Sequence, residues 1–133
     1  MLFDLFIVFG AHCIGDYPLQ GSYLAKGKRE NEYLLLCHSA IYTLCIVTAY
    51  AAIAFKNGDV FYTVPYGVLA LLVFITHLVV DALTCEARDW YDTILWPPFT
   101  SDYVKRAQKN TILYVDQIVH MFFNWVILAI FLW

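Results

Sequence analysis

Charge is scarce in this sequence. Only 14% of its 133 residues are Asp, Glu, Lys or Arg, against 62% hydrophobic and 18% aromatic, a balance that excludes an ordinary soluble domain and points to the bilayer as solvent. Glycines number only six and there is no Ser/Gln-rich tract; with ten Phe, ten Tyr and four Trp, that excludes a disordered chain. Alternating strands of barrel type are also lacking, so the apolar content must sit in helices. A net charge of −3 and scattered Lys and Arg give no basic stripe, which argues against a nucleic acid partner. The four cysteines, Cys13, Cys37, Cys45 and Cys85, form no C-x-x-C pair. Three of them lie in apolar runs, where free Cys acts as a small hydrophobe, so neither a disulfide framework nor a thiolate metal cluster is expected.

What is present is four apolar segments. The first, Leu2 to Tyr17, ends at Pro18 and is interrupted by Gly10, His12, Gly15 and Asp16. It carries Asp4 and no Lys or Arg, so it is expected to be mature protein rather than a cleaved leader. Tyr33 to Phe55 runs 23 residues without a formal charge, and roughly 20 suffice to cross a hydrocarbon core. The third, Tyr62 to Thr84, has Pro65 in its first turn, where proline is tolerated. The fourth, Ile112 to Trp133, follows the candidate N-caps Asn110 and Thr111. The pattern predicts an all-α, polytopic membrane protein, a small bundle of four transmembrane helices (2–17, 33–55, 62–84 and 112–133) in one domain, with a loop at 85–111.

The basic residues orient it. Lys26, Lys28 and Arg29 precede the second segment, and Arg88, Lys105, Arg106 and Lys109 precede the fourth; Lys56 alone lies on the other side. Seven against one is a positive-inside signal that places 18–32 and 85–111 in the cytoplasm and both termini in the periplasm. Trp90, Tyr91, Trp96, Pro97, Pro98, Phe99 and Tyr103 in the second of these stretches read as an aromatic interface belt or, alternatively, a lid over a site.

All four histidines and three acids fall inside the segments. His12 and Asp16, His77 and Asp81, and Asp116 and His120 are each four residues apart, so each pair shares a helical face. His38 sits on the second segment, and Asn124 continues the Asp116/His120 face one turn deeper. At a rise of about 1.5 Å per residue, His12 lies about 9 Å in from Pro18, His38 about 7 Å from Tyr33, His77 about 10 Å from Thr84 and His120 about 12 Å from Ile112. Four helices thus place their histidines in one layer near the cytoplasmic face. An ionised Asp at full depth costs on the order of 2.5 to 3.5 kcal/mol, which calls for an offsetting partner. Imidazole with carboxylate is a ligand set for Zn first, and for Mn or Fe. His12, Asp16, His38, His77, Asp81, Asp116 and His120 are therefore the candidate metal ligands, against the plainer reading that each Asp pairs with its own His. Seven donors exceed what one zinc takes. Either two ions share a bridging carboxylate, or one ion is bound while remaining acids orient imidazoles and act as base, with Asp81 and Asp116 the catalytic candidates. Gln20, Tyr42, Gln117 and Asn124 are the expected supporting residues.

The pattern His12-x-x-x-Asp16-Tyr-x-x-Gln20, then His38, His77-x-x-x-Asp81 and Asp116-Gln117-x-x-His120, spread over nearly the whole chain, resembles an uncharacterised family of small bacterial and phage membrane proteins. That family in turn resembles the YdjM-like proteins, predicted inner-membrane metal-dependent hydrolases. The resemblance implies that these seven residues form the site, with Gln20 and Gln117 beside it, in a bacterial inner membrane. The expected function is a metal-dependent hydrolase acting at the cytoplasmic face on a phosphoester, an amide or a lipid headgroup, with Arg88, Lys105 and Arg106 available to attract an anionic substrate. Three other classes compete: a haem carrier, which three carboxylates beside an apolar macrocycle disfavour; an ion or proton transporter, which would need polar residues beyond Thr43 and Thr48 on the far side; and a non-enzymatic membrane partner, such as a phage-encoded protein acting on a host protein.

Overall fold

The computed structural model describes residues 2–58, 65–94 and 102–132, with the side chains of 88–94, 102–110, 128 and 132 outside that description. Five helices make up the described residues, with no strand among them: α1 (Leu2–Asp16), α2 (Gly21–Gly27), α3 (Glu32–Asn57), α4 (Tyr66–Ile94) and α5 (Asp102–Leu132). Pro18 sets the end of α1, because it lacks an N–H and pushes the residue before it out of helical geometry. Gly21, at φ +56°, then turns the chain so that α2 leaves at 78° to α1. Asn31 caps α3 by accepting from the Tyr33 N–H at 2.9 Å, and Gly58 closes its far end in the left-handed conformation at φ +77°.

Three helices are long and apolar enough to cross a membrane: α3, the Tyr66–Ala87 part of α4 and the Thr111–Phe131 part of α5. The first segment passes that test only together with α2, as a bent pair. Its 15 residues reach about 22 Å, short of a hydrocarbon core of about 30 Å.

Two expectations need correcting. The stretch 18–32 is not all loop, since α2 occupies Gly21–Gly27, and much of 85–111 is helical: α4 runs on to Ile94 and α5 begins at Asp102, so Asn110 and Thr111 lie within a helix rather than capping it. The cause is compositional, since neither Cys85–Ile94 nor Asp102–Thr111 contains Gly or Pro, and polar helix formers such as Lys, Arg, Gln and Glu continue a helix past its apolar run. The expected start at Tyr62, the residues Trp96, Pro97, Pro98 and Phe99, and the side chains of Arg88, Trp90, Tyr91, Tyr103, Lys105, Arg106 and Lys109 lie outside the described residues.

The long helices close a ring, α1 on α3, α3 on α4, α4 on α5 and α5 back on α1, with α2 against α3. Inside the ring the bundle has two unlike halves. One is an apolar core of Val8, Ile46, Tyr50, Ile53, Leu69, Val73 and Ile127. The other buries His12, Asp16, His38, Ser39, His77, Asp81, Asp116 and His120. The outward faces carry Phe6, Phe9, Leu44, Phe55, Leu71, Leu83, Ile118 and Ile130, the apolar exterior expected of a bundle solvated by lipid. At the end of the apolar half, Lys56 of α3 pairs with the buried Asp4 of α1 and lies 4.9 Å over the Phe3 ring.

Candidate functional site

Each of the four ring helices delivers donors to one buried cluster. The i, i+4 spacing in α1, α4 and α5 projects His12 with Asp16, His77 with Asp81, and Asp116 with His120 toward the bundle axis, and the first turns of α3 add His38; all seven are buried. At the centre, the Nε2 atoms of His38 and His77 are 3.1 Å apart. Asp16 Oδ1 lies 3.5 Å from His38 Nε2 and 3.7 Å from His77 Nε2, while Asp81 Oδ2 lies 3.2 and 3.5 Å from the same two atoms. The other oxygen of Asp81, Oδ1, turns to His120 Nε2 at 3.4 Å, and Asp116 Oδ1 stands at the same 3.4 Å from that nitrogen. Asp81 therefore faces two donor groups, one oxygen to each.

The separations suit a cation. Ligands bound at about 2.0 to 2.1 Å in a tetrahedron lie about 3.3 Å from one another, and the nitrogen–nitrogen and nitrogen–oxygen distances here run from 3.1 to 3.7 Å. Two sets, Asp16/His38/His77 and His77/Asp81/His120, each bring three ligand atoms within 4.8 Å of one another. Asp16 Oδ1 and His120 Nε2 are buried with no hydrogen-bond partner among the described residues. Each such orphan costs about 1 to 3 kcal/mol, which a bound cation would offset for these two, though not for the equally unpartnered Nδ1 atoms of His38 and His77, which lie across the rings from the Nε2 atoms.

His12 stands at the edge of the cluster. Its Nδ1 is 3.7 Å from Asp16 Oδ2, but both ring nitrogens have closer partners, Tyr42 Oη and Gln117 Oε1, each at 2.9 Å. The protons follow from the neighbours. Gln117 Nε2 donates at 3.3 Å to Asp16 Oδ2 and to Asp116 Oδ2, which fixes its amide and turns its oxygen to His12. His12 therefore donates from Nε2 to Gln117, and its Nδ1 accepts from the Tyr42 hydroxyl, which itself accepts from Asn124 Nδ2 at 2.7 Å. The Tyr42 ring also stacks on His77, with centroids 3.6 Å apart and planes 11° from parallel. Gly15 makes this possible: a Cβ there would sit 3.0 Å from Tyr42 Cδ2 and 3.3 Å from its Cα.

Two residues that matter here, Lys28 and Thr84, were not singled out from the sequence as part of the site. Lys28 Nζ lies 2.8 Å from Asp81 Oδ2, and Gln20, with its amide oriented to satisfy both neighbours, accepts from that ammonium at 2.8 Å and donates to the Asp16 carbonyl at 2.7 Å. Thr84 donates to Asp116 Oδ1 at 2.8 Å. Thr84 was legible as the residue one turn beyond Asp81 on the same stripe. Lys28 carried no such periodic signal, because it follows the short α2. Lys28, Arg29, Gln20, Asp16, Asp81 and Asp116 border a cavity of about 280 Å³ that opens from the cluster toward α2.

Away from the cluster the polar trail stops. Thr43 and Thr48 donate to carbonyls of their own helix, Ser39 O and Leu44 O, both at 2.7 Å, and the Tyr50 hydroxyl donates to Asn124 O at 2.9 Å. Beyond them, among the described residues, the apolar core separates the cluster from the Asp4–Lys56 pair at the far end.

No curated protein and no solved structure matches the chain. A family model does, over residues 2–133, nearly its whole length. The chain belongs to the DUF3307 family, described as a protein of unknown function.

Proposed function

We propose that this chain is a four-span protein of a bacterial inner membrane, with both termini periplasmic, that binds one or two divalent cations in its His/Asp layer and hydrolyses a phosphoester at the cytoplasmic face. The fourth span is α1, whose outward Leu2, Phe3, Phe6, Phe9 and Ile14 are exposed apolar residues on a helix packed into the ring. The seven-to-one distribution of Lys and Arg supports the orientation. A fluorescent maleimide applied from either side to cysteines placed at Lys28 and Lys105 tests it; labelling from the periplasmic side would overturn it.

The observation that carries the metal reading is the convergence of three imidazole Nε2 atoms on Asp81, with Asp16 and Asp116 at the flanks. In this reading Asp16, His38, His77 and Asp81 hold the first cation, and Asp81, Asp116 and His120 hold the second where there are two. Zinc fits the ligand types best, with Mn or Fe as alternatives. His12 is left out of the ligand set. It orients Gln117, which holds Asp16 and Asp116. The bound cation would lower the pKa of water toward neutrality and neutralise charge on the reacting group. The chain's own residues do the rest. Where one cation is held, Asp116, fixed by Thr84 and Gln117 at the cavity wall, is free to accept the proton of the attacking water, and in either case Lys28 meets an anionic oxygen at the mouth. The resemblance to the YdjM-like proteins supports hydrolysis as the reaction class. The apolar core beyond Tyr50 supports a site open at one end over a transport path.

The test is turnover. Parent protein, Asp81→Asn and Asp116→Asn are assayed against a panel of phosphorylated lipids and soluble phosphoesters with Zn, Mn or Fe added. The expected result is activity in the parent and a loss on the order of 10²-fold or more in each Asn variant, with both still inserted. No turnover by the parent on any member refutes the hydrolase reading.

A further inference from the structure

The polar cavity is not isolated. On the lipid-facing side of α4 and α5 runs an apolar groove of about 660 Å³, walled by Ile75, Val79 and Leu83 of one helix and Val115, Val119 and Phe123 of the other. That volume is of ligand-pocket size, within the usual range of about 300 to 1,000 Å³. The two cavities share Thr84 and Asp116, which line both. The groove spans residues 75–87 of α4, about 18 Å along the helix, close to the depth of about 15 Å for one leaflet of hydrocarbon. Its apolar wall leads to Thr84 and Asp116, about one turn short of its end at Ala87 and Thr111, and there it meets the chamber with Lys28 and Arg29 at its rim.

A second apolar groove serves as an internal comparison. Between α1 and α3, about 520 Å³ is lined by Phe6, Ile7, Ile14, Leu44 and Ala52 among others, and none of the cluster's donors borders it. Lipid chains fill any such concavity in a bilayer. Of these two grooves, the α4/α5 one delivers a chain whose head arrives at the His/Asp layer; a third, of about 350 Å³ between α1 and α5, reaches His12 and Gln117 at the edge of the layer but borders none of its carboxylates.

We infer that the substrate is an anionic glycerophospholipid of the cytoplasmic leaflet, one acyl chain lying in the α4/α5 groove and its phosphate reaching past Thr84 and Asp116 into the chamber beside Lys28. The inference rests on the hydrolase reading for the word substrate, but the lipid site itself does not. Charge chooses the head once the proposed cation is counted: Lys28 and Arg29 at the rim face Asp16, Asp81 and Asp116 in the same lining, and the divalent cation proposed for the cluster turns that balance positive, favouring a phosphate over a neutral headgroup. Lateral access between α4 and α5 follows, since the groove is open to the bilayer along its length.

The experiment uses the full chain in phosphatidylcholine vesicles containing a minor fraction of phosphatidic acid with a diazirine midway along one acyl chain. After irradiation, adducts are mapped by mass spectrometry. Expected are adducts on 75–83 and 115–123 at roughly ten times the level on the α1/α3 groove, and near-equal labelling of the two grooves when the diazirine is carried by phosphatidylcholine instead. Val79→Trp with Val115→Trp, which fills the groove with apolar bulk, should remove the excess. If the double variant does not insert, the parent's adduct map still decides. Equal labelling of both grooves by phosphatidic acid overturns the inference. Labelling needs no turnover, so a parent protein that labels selectively yet hydrolyses nothing refutes the hydrolase and leaves the lipid site, whereas an active protein that labels indiscriminately does the reverse.

Discussion

The two halves of this bundle are built by the same four helices from opposite materials. Around Ile46, Tyr50, Ile53, Leu69 and Val73 the helices meet through side chains that need nothing from one another but contact. A turn or two along the same helices, they meet through His38, His77, Asp81 and His120, whose atoms approach to 3.1 to 3.5 Å and leave buried orphans at Asp16 Oδ1 and His120 Nε2. The first half satisfies itself, whereas the second leaves buried polar atoms that the cation proposed above would take up. Tyr42 and Asn124 are the seam, with Tyr42 packed in the apolar core through its ring and tied to His12 and Asn124 through its hydroxyl.

That difference can be broken from either side. The largest effect should come from Asp81→Asn, which keeps shape while removing the carboxylate that faces both donor groups: bound metal is lost, turnover falls by on the order of 10²-fold or more, and the melting temperature falls as well, since Lys28 loses its buried partner and the cation its binding energy. Ile46→Ala is its counterpart. It should lower stability by about 2 kcal/mol or more in a reversible unfolding assay in detergent while metal per chain is unchanged. A third change acts on the seam. Tyr42→Phe leaves His12 Nδ1 and Asn124 Nδ2 without their shared partner, a loss of about 1 to 3 kcal/mol in stability, and through His12 and Gln117 it should weaken metal binding by roughly 10- to 100-fold. If it alters stability alone, the two halves are less coupled than the hydrogen bonds imply. The smallest effect is expected at Lys56→Ala, where a half-exposed lysine pairs with the buried Asp4 at the far end; the loss should cost a few degrees of melting temperature and nothing in metal content.

How much of this was legible beforehand follows from periodicity. The three i, i+4 pairs and the alternating direction of the segments put His12, His38, His77 and His120 at one level, and in the structure neighbouring imidazoles lie with centroids 4.3 to 6.1 Å apart. What periodicity could not resolve was which nitrogens face inward. His12 has the same spacing to its carboxylate as His77 has to Asp81, yet it is claimed by Tyr42 and Gln117 on other helices, contacts separated by 30 and 105 residues in sequence. Helix ends were misjudged for another reason. An apolar run measures the thickness of a bilayer, whereas a helix stops at a breaker, so α4 and α5 outrun the segments that announced them. Lys28 was legible only as a charge that sets topology; its approach to Asp81 is set by the turn at Gly21 and the packing of α2 on α3.

The most direct measurement of the central claim is elemental analysis of the intact protein, purified without chelator from cells grown with ordinary trace metals, alongside Asp81→Asn prepared in the same way. One or two equivalents of zinc, or of manganese or iron, in the parent and a marked deficit in the variant is the result expected from a layer whose donors converge as these do. A folded, inserted parent protein with no stoichiometric metal, before or after incubation with each of the three ions, would contradict it.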